Sequence, residues 1–192
     1  MRKAIFLDRD GTINVEKNYI YRKEEFIFLP NVIDALRKLQ DNDFILIIIT
    51  NQSGIARGYY TEEEFLELNR WMLGQLKEEC IYVTDVLYCP HHPDAVIWQY
   101  RKECNCRKPG TELFWEATRK YNIDLSQSYA IGDKIRDCAI CKESKCRGFL
   151  IGKNEDEHII AKIKQGRLDR IEYQENLLSC TERICSIYNK GR

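Results

Sequence analysis

The chain opens on a short apolar run, Ala4-Ile5-Phe6-Leu7, that ends abruptly at Asp8. A second run, Phe44-Ile45-Leu46-Ile47-Ile48-Ile49, is rich in β-branched residues and ends in Thr50-Asn51. Short runs without polar alternation predict strands buried on both faces, as in a parallel sheet. Between them, residues 31–40 place Val32, Ile33, Leu36 and Leu39 on one helical face. Strand, helix and strand therefore follow in the order of a parallel crossover. Thr61-Glu62-Glu63-Glu64 has the form of a capping box and predicts the start of a long helix through Phe65, Leu68, Met72 and Leu76. Further strands are expected at 83–88, 128–133 and 148–151, with a helix around 113–121. The pattern predicts an α/β fold, a Rossmann-like parallel sheet with helices on both faces.

Past Gly152 the chain is strongly charged. Weak helical patterning through Ile159, Ile160 and Ile163, then Leu177, Leu178, Ile184 and Ile187, predicts a C-terminal helical tail over 153–192. The one long stretch without periodicity, 89–110, exceeds an ordinary connection and is expected to be functional.

Composition narrows the setting. A length of 192 residues with 44% hydrophobic content suits a single domain over 1–192. Thirty basic and thirty acidic side chains cancel, so no overall field points to nucleic acid or a membrane surface. The longest apolar run is far shorter than the ~20 residues of a membrane helix. A cytoplasmic protein is expected, and a monomer, since no dimer seam is visible. Nine cysteines, an odd number at uneven spacing, argue against a secreted disulfide framework. Four of them, Cys80, Cys138, Cys180 and Cys185, fall in stretches that read as helix, where a small buried hydrophobe is the ordinary role.

Ligands of open parallel sheets sit beyond the carboxyl ends of the strands. Three expected strands end there in Asp8 with Asp10, in Thr50 with Asn51, and in Asp133. Asp8-Arg9-Asp10-Gly11 can aim two carboxylates at one cleft, and Asp133 can complete an all-oxygen site for a hard cation such as magnesium. Read alone, Asp-Gly equally marks a turn. A carboxylate that attacks phosphate needs its repulsion masked. Thr50 offers a hydroxyl, Asn51 and the Ser53-Gly54 turn offer amide donors, and Lys108 offers a point charge. Cys89-Pro90-His91 and Cys104-Asn105-Cys106 supply three thiolates and an imidazole, a closed set for structural zinc. His92 is an alternative to His91. Arg107 and Lys108 follow the last ligand directly, so the metal would fix the backbone that carries both. Cys138-x-x-Cys141, with Cys146 nearby, falls on the helix expected after Asp133, lacks a fourth ligand and a thioredoxin-like Trp-Cys pattern, and does not read as a metal or redox motif.

These segments together resemble the haloacid dehalogenase superfamily of phosphatases, in the branch that holds heptose bisphosphate and histidinol-phosphate phosphatases. Residues 6–14 are similar to its first motif, Thr50-Asn51-Gln52-Ser53-Gly54 to the second, Cys106-Arg107-Lys108-Pro109 to the third and Ile131-Gly132-Asp133-Lys134 to the fourth. Ile55-Ala56-Arg57-Gly58 and Tyr19 resemble the heptose enzymes more than the histidinol ones. The resemblance implies Asp8 as nucleophile, Asp10 as general acid and base, and Thr50 and Lys108 on the transferring phosphate. It implies magnesium on Asp8, Asp133 and the Asp10 backbone, and zinc on Cys89, His91, Cys104 and Cys106. It places substrate contacts on Glu16, Lys17, Asn18, Tyr19, Arg107 and Lys134, beside Asn51, Gln52 and Ser53 of the second motif. The implied reaction is hydrolysis of a small sugar bisphosphate on the route to nucleotide-activated heptose and lipopolysaccharide, in a chain without a large cap domain. Another sugar phosphate, or histidinol phosphate, is the alternative substrate, and a phospho-accepting signalling domain is the non-enzymatic one.

Overall fold

The computed structural model describes residues 1–190. Six strands form one sheet in the order β3-β2-β1-β4-β5-β6: β1 (Ala4–Leu7), β2 (Ile45–Asn51), β3 (Val83–Cys89), β4 (Tyr129–Gly132), β5 (Arg147–Ile151) and β6 (Ile171–Gln174). Every neighbouring pair is parallel, with Phe6 opposite Ile47 on one side and Ala130 on the other. The expected parallel α/β architecture is what the chain forms.

The apolar runs serve both faces of this sheet. Ile5, Leu7, Leu46 and Ile48 pack on one face with Leu36 and Leu39 of α1 (Val32–Asp41), with Leu68 and Met72 of α3 (Glu62–Glu78), which follows the short α2 (Ser53–Ala56), and with Cys180 and Ile184 of α6 (Leu177–Lys190). Ala4, Phe6, Ile47 and Ile49 point the other way, toward Phe114 and Ala117 of α4 (Glu112–Tyr121). Phe6 and Phe114 meet edge to face at 5.3 Å. A polar residue at any of these strand positions would be buried without a partner, which is why the runs carry no alternation. The predicted capping box is present: Thr61 Oγ1 accepts from the Glu64 N–H, and Glu64 Oε2 accepts from the Thr61 N–H at 2.7 Å.

Three expectations are corrected. The region past Gly152 is not wholly helical: α5 (Glu157–Lys164) is followed by β6, which pairs with β5 at the sheet edge. The last two residues of the expected tail, 191 and 192, lie outside the described residues. Cys80 is exposed just past α3 with a φ of 59°, a turn residue rather than a helical one, whereas Cys138, Cys180 and Cys185 are buried as expected. After Asp133 the chain enters a kinked 3-10 helix, Ile135–Lys142, in place of a regular α-helix.

Candidate active site

The strand ends converge as the topology requires. Asp8 follows β1, Thr50 and Asn51 close β2, and Asp133 follows β4, the strand on the other side of β1. All of them, with Lys108, line a cavity of about 390 Å³ at the carboxyl edge of the sheet. The order of strands reverses between β1 and β4, so this is the topological switch point of the sheet.

Lys108 is almost wholly buried there. Its Nζ lies 2.8 Å from Asp8 Oδ1 and 2.7 Å from Asp137 Oδ1, and donates to the Ile49 carbonyl at 2.6 Å. Burial alone would depress its pKa; the charges of Asp137 and Asp8 overcome that and hold it above the ordinary lysine value. Asn51 fixes the backbone beneath it, with Nδ2 donating to the Lys108 carbonyl at 2.9 Å and Oδ1 accepting from the Lys108 N–H at 3.0 Å. The Asn51 amide, expected as a substrate donor, is thus spent on the lysine's position.

The carboxylate oxygens of Asp8, Asp133 and Asp137 lie within 4.8 Å of one another. Burial, opposed by Lys108 and reinforced by Asp137 and Asp10, pushes Asp8 up to about 6. Burial and then the Asp8 charge push Asp133 up to about 6. Crowded buried carboxylates with no soft donor among them make a set that a hard dication fits and thiophilic metals do not. The Asp10 side chain stands outside this cluster. Arg9 grips it through Nε and Nη2 at 2.9–3.2 Å, Asn14 Nδ2 donates to it at 3.0 Å and Gln52 Nε2 at 2.9 Å. Gln52 is oriented in turn by the Tyr60 hydroxyl at 2.5 Å, and it also donates to Thr50 Oγ1 at 2.9 Å.

A smaller cavity of about 180 Å³ adjoins the first, lined by Tyr19, Ser53, Arg107 and Arg136 among others. Glu16 and Asn18 line both cavities, and Lys134 lines the larger. Lys17, exposed on the same segment as Glu16 and Asn18, lines neither.

The second cluster forms in the 89–110 loop. Cys89, His91, Cys104 and Cys106 bring their ligand atoms together, with Cys106 Sγ 3.1 Å from Cys104 Sγ and 3.3 Å from both Cys89 Sγ and His91 Nδ1. A tetrahedral zinc with bonds of about 2.3 Å sets thiolates about 3.7 Å apart; the three sulfurs here lie 3.1–3.5 Å apart, somewhat closer, in a donor set whose chemistry fits that ion. His92 turns away: its Nδ1 accepts from the Asp94 N–H and its Nε2 faces Arg57 at 3.2 Å. Cys138, Cys141 and Cys146 lie in the core, where Cys146 donates to the Ser128 carbonyl.

Sequence reading missed four residues of this site. Asp137 follows Asp133 by four positions, and that second carboxylate was the available signal. Arg9 sits inside the first motif between two carboxylates, and only its pairing with Asp10 marks it out. Asn154, whose Nδ2 donates to Asp133 Oδ2 at 3.0 Å, comes from the segment after β5 that was read only as tail. Arg136, two positions after Lys134, lines both cavities, and a second basic residue so close to the fourth motif was its only signal.

Comparison with known proteins gives this geometry its class. Residues 3–145 match the polynucleotide kinase 3 phosphatase family. The D-glycero-beta-D-manno-heptose-1,7-bisphosphate 7-phosphatase of Yersinia pestis is 46% identical over 134 residues, 70% of this chain and 71% of that protein. The Escherichia coli K12 enzyme of the same name is 45% identical over 134 residues, 70% of each chain. The crystal structure of D,D-heptose 1,7-bisphosphate phosphatase from B. bronchiseptica, complexed with magnesium and phosphate, superposes with a TM-score of 0.82 at 28% identity, over 96% of this chain and 99% of that one. The fold and these relatives make the chain a haloacid dehalogenase-type phosphatase, a hydrolase of phosphoric monoesters. Within that class the chain belongs to the heptose bisphosphate phosphatase family.

Proposed function

We propose that this chain removes the C7 phosphate of D-glycero-D-manno-heptose 1,7-bisphosphate through an aspartyl-phosphate on Asp8. The observation that carries the reading is the buried Asp8–Lys108 pair at the sheet's switch point, in a chain this similar to enzymes of that name. An Asp8 oxygen attacks phosphorus, the bond to the sugar oxygen breaks, and Asp10 gives that oxygen its proton. Asp10 then takes a proton from water, whose oxygen attacks the aspartyl-phosphate and releases inorganic phosphate. Arg9, Asn14 and Gln52 keep Asp10 oriented for both transfers, while Thr50 and Lys108 hold the phosphate oxygens.

Asp8 and Asp133, with the Asp10 backbone, are the residues that would hold magnesium, which would supply positive charge to mask the repulsion of nucleophile and phosphate. Asp137 is left to Lys108. Cys89, His91, Cys104 and Cys106 would hold zinc, whose part is to fix the loop from which Arg107 and Lys108 project. Arg107, Lys134, Ser53 and the segment 16–19 contact the sugar bisphosphate. We further propose a cytoplasmic monomer whose product feeds nucleotide-activated heptose synthesis; none of the described helices is long and apolar enough to cross a membrane.

The test is phosphate release with and without magnesium from both anomers of heptose 1,7-bisphosphate, since a relative named for the alpha anomer is also 44% identical. Histidinol phosphate, fructose 1,6-bisphosphate and a 3′-phosphorylated oligonucleotide run beside them. Magnesium-dependent preference for the heptose supports the reading, and preference for any of the other three overturns the substrate.

A further inference from the structure

The two cavities are one trough. Asp10, Glu16, Asn18, Asn51 and Arg136 contribute to both, so a ligand whose phosphate meets Asp8 extends its far end toward Arg107. With Asp10 paired to Arg9, two guanidiniums and one further carboxylate, Glu16, line that far end. Arg107 makes one hydrogen bond, from Nη1 to the His91 carbonyl at 3.3 Å, and lines the smaller cavity. Arg136 is exposed and has no hydrogen-bond or ion-pair partner among the described residues. Of the acids nearby, Asp10 is paired with Arg9, and Glu16 accepts from the Asn18 N–H at 2.6 Å and keeps its charge; neither forms an ion pair with Arg107 or Arg136, and the Arg136 charge also acts on Asp133.

The backbone under Arg136 is held firmly. Asp137, the next residue, accepts from the Lys134 N–H at 2.9 Å while pairing with Lys108. The same carboxylate therefore sets the phosphate-holding lysine and the point from which Arg136 reaches out. Two guanidiniums lining a space of about 180 Å³ leave room for a phosphate-sized anion and offer it paired N–H donors.

We infer that Arg136 is a specificity-determining residue that binds, together with Arg107, the phosphate of the substrate that is not transferred. The inference rests on the bisphosphate reading above and deepens it. It gives part of the recognition of that second phosphate to a residue outside the four motifs.

The experiment compares kcat/KM on paired substrates, heptose 1,7-bisphosphate against heptose 7-phosphate and fructose 1,6-bisphosphate against fructose 6-phosphate, for the wild type, Arg136→Ala and Arg136→Lys. Losing a charged hydrogen-bond donor to phosphate weakens binding on the order of 10- to 100-fold. Arg136→Ala is expected to lower the bisphosphate value by that factor, chiefly through KM, so that the bisphosphate-to-monophosphate ratio collapses; Arg136→Lys recovers part of it. Equal losses on both members of a pair would mark Arg136 as merely structural and overturn the inference, as would an unchanged ratio. If the heptose pair is not turned over and the fructose pair shows an Arg136-dependent preference for the second phosphate, the heptose assignment falls and the inference stands.

Discussion

At the scale of single residues, Lys108 and Asp137 carry consequences that neighbouring positions do not. Asp8→Asn is expected to abolish turnover while leaving the melting temperature within a few degrees, because amide and carboxylate have the same shape and Lys108 keeps Asp137 as partner. Asp137→Asn should do something different. It removes one of the two charges that offset the lysine's burial, which costs about 1.5–3 kcal/mol of stability, and it loosens Lys108 enough to lower kcat. Thermal melts read beside turnover separate the two; identical behaviour would dissolve the distinction drawn between nucleophile and support. Gly11 makes a sharper test. Its φ is +81°, and a Cβ there would stand 2.4 Å from Asp133 Oδ2. Gly11→Ala should cost about 1–3 kcal/mol in backbone strain and push Asp133 aside, raising the magnesium concentration needed for half-maximal activity. An unchanged magnesium requirement would remove Asp133 from the metal site. What made Asp8, Asp10 and Asp133 legible from sequence is their place directly after apolar runs. Arg9 and Asp137 were not, because their importance lies in pairings with Asp10 and Lys108 that only the folded chain brings about.

At the scale of elements, strands and helices with a strong period were read almost to the residue, since β1 and β2 are buried on both faces and α3 announces itself with a capping box. The misses have physical causes. β6 is a four-residue edge strand, Ile-Glu-Tyr-Gln, whose polar residues tolerate partial exposure and so imitate the charged stretch around it. The segment after Asp133 coils as a 3-10 helix because Asp137 turns back onto the Lys134 N–H, a local bond that no hydrophobic periodicity reports. The 89–110 loop was legible for the opposite reason: without periodicity, its thiols and imidazole stood out. That loop also makes a prediction. Cys104→Ser should lower stability and activity together. A loss of about 2–3 kcal/mol in a domain of this size lowers Tm by about 5–10 °C, and the displaced Lys108 reduces turnover. Zinc content by mass spectrometry, read with both quantities, checks it. A variant that lacks zinc yet works normally would detach the loop from catalysis.

At the scale of the whole molecule, the proposed metal site sets protons and magnesium in competition for the same carboxylates. Asp8 and Asp133, pushed up to about 6 by burial, hold their protons more tightly in the folded chain than in the unfolded one, where they titrate near about 3.9. In chelated protein their contribution therefore favours the fold fully below about pH 4 and is lost as pH rises through about 6. Magnesium needs the deprotonated forms. The rise in Tm on adding magnesium should be small at pH 5 and large at pH 7.5, and a rise independent of pH would mean that the ion binds elsewhere.

Lys108 lies between Asp8 and Asp137, so its charge is already matched before any substrate arrives. An incoming phosphate must draw on a cation that two carboxylates hold, and a dication on Asp8 relaxes that hold. The two ligands therefore act synergistically: whatever factor magnesium gains for phosphate, phosphate gains for magnesium. Calorimetric titration of phosphate with and without the ion should return this reciprocal factor, and independent binding would refute it. Inhibition by released phosphate then rises and falls with free magnesium, so that scarcity of the ion slows the enzyme and frees it from its own product at the same time.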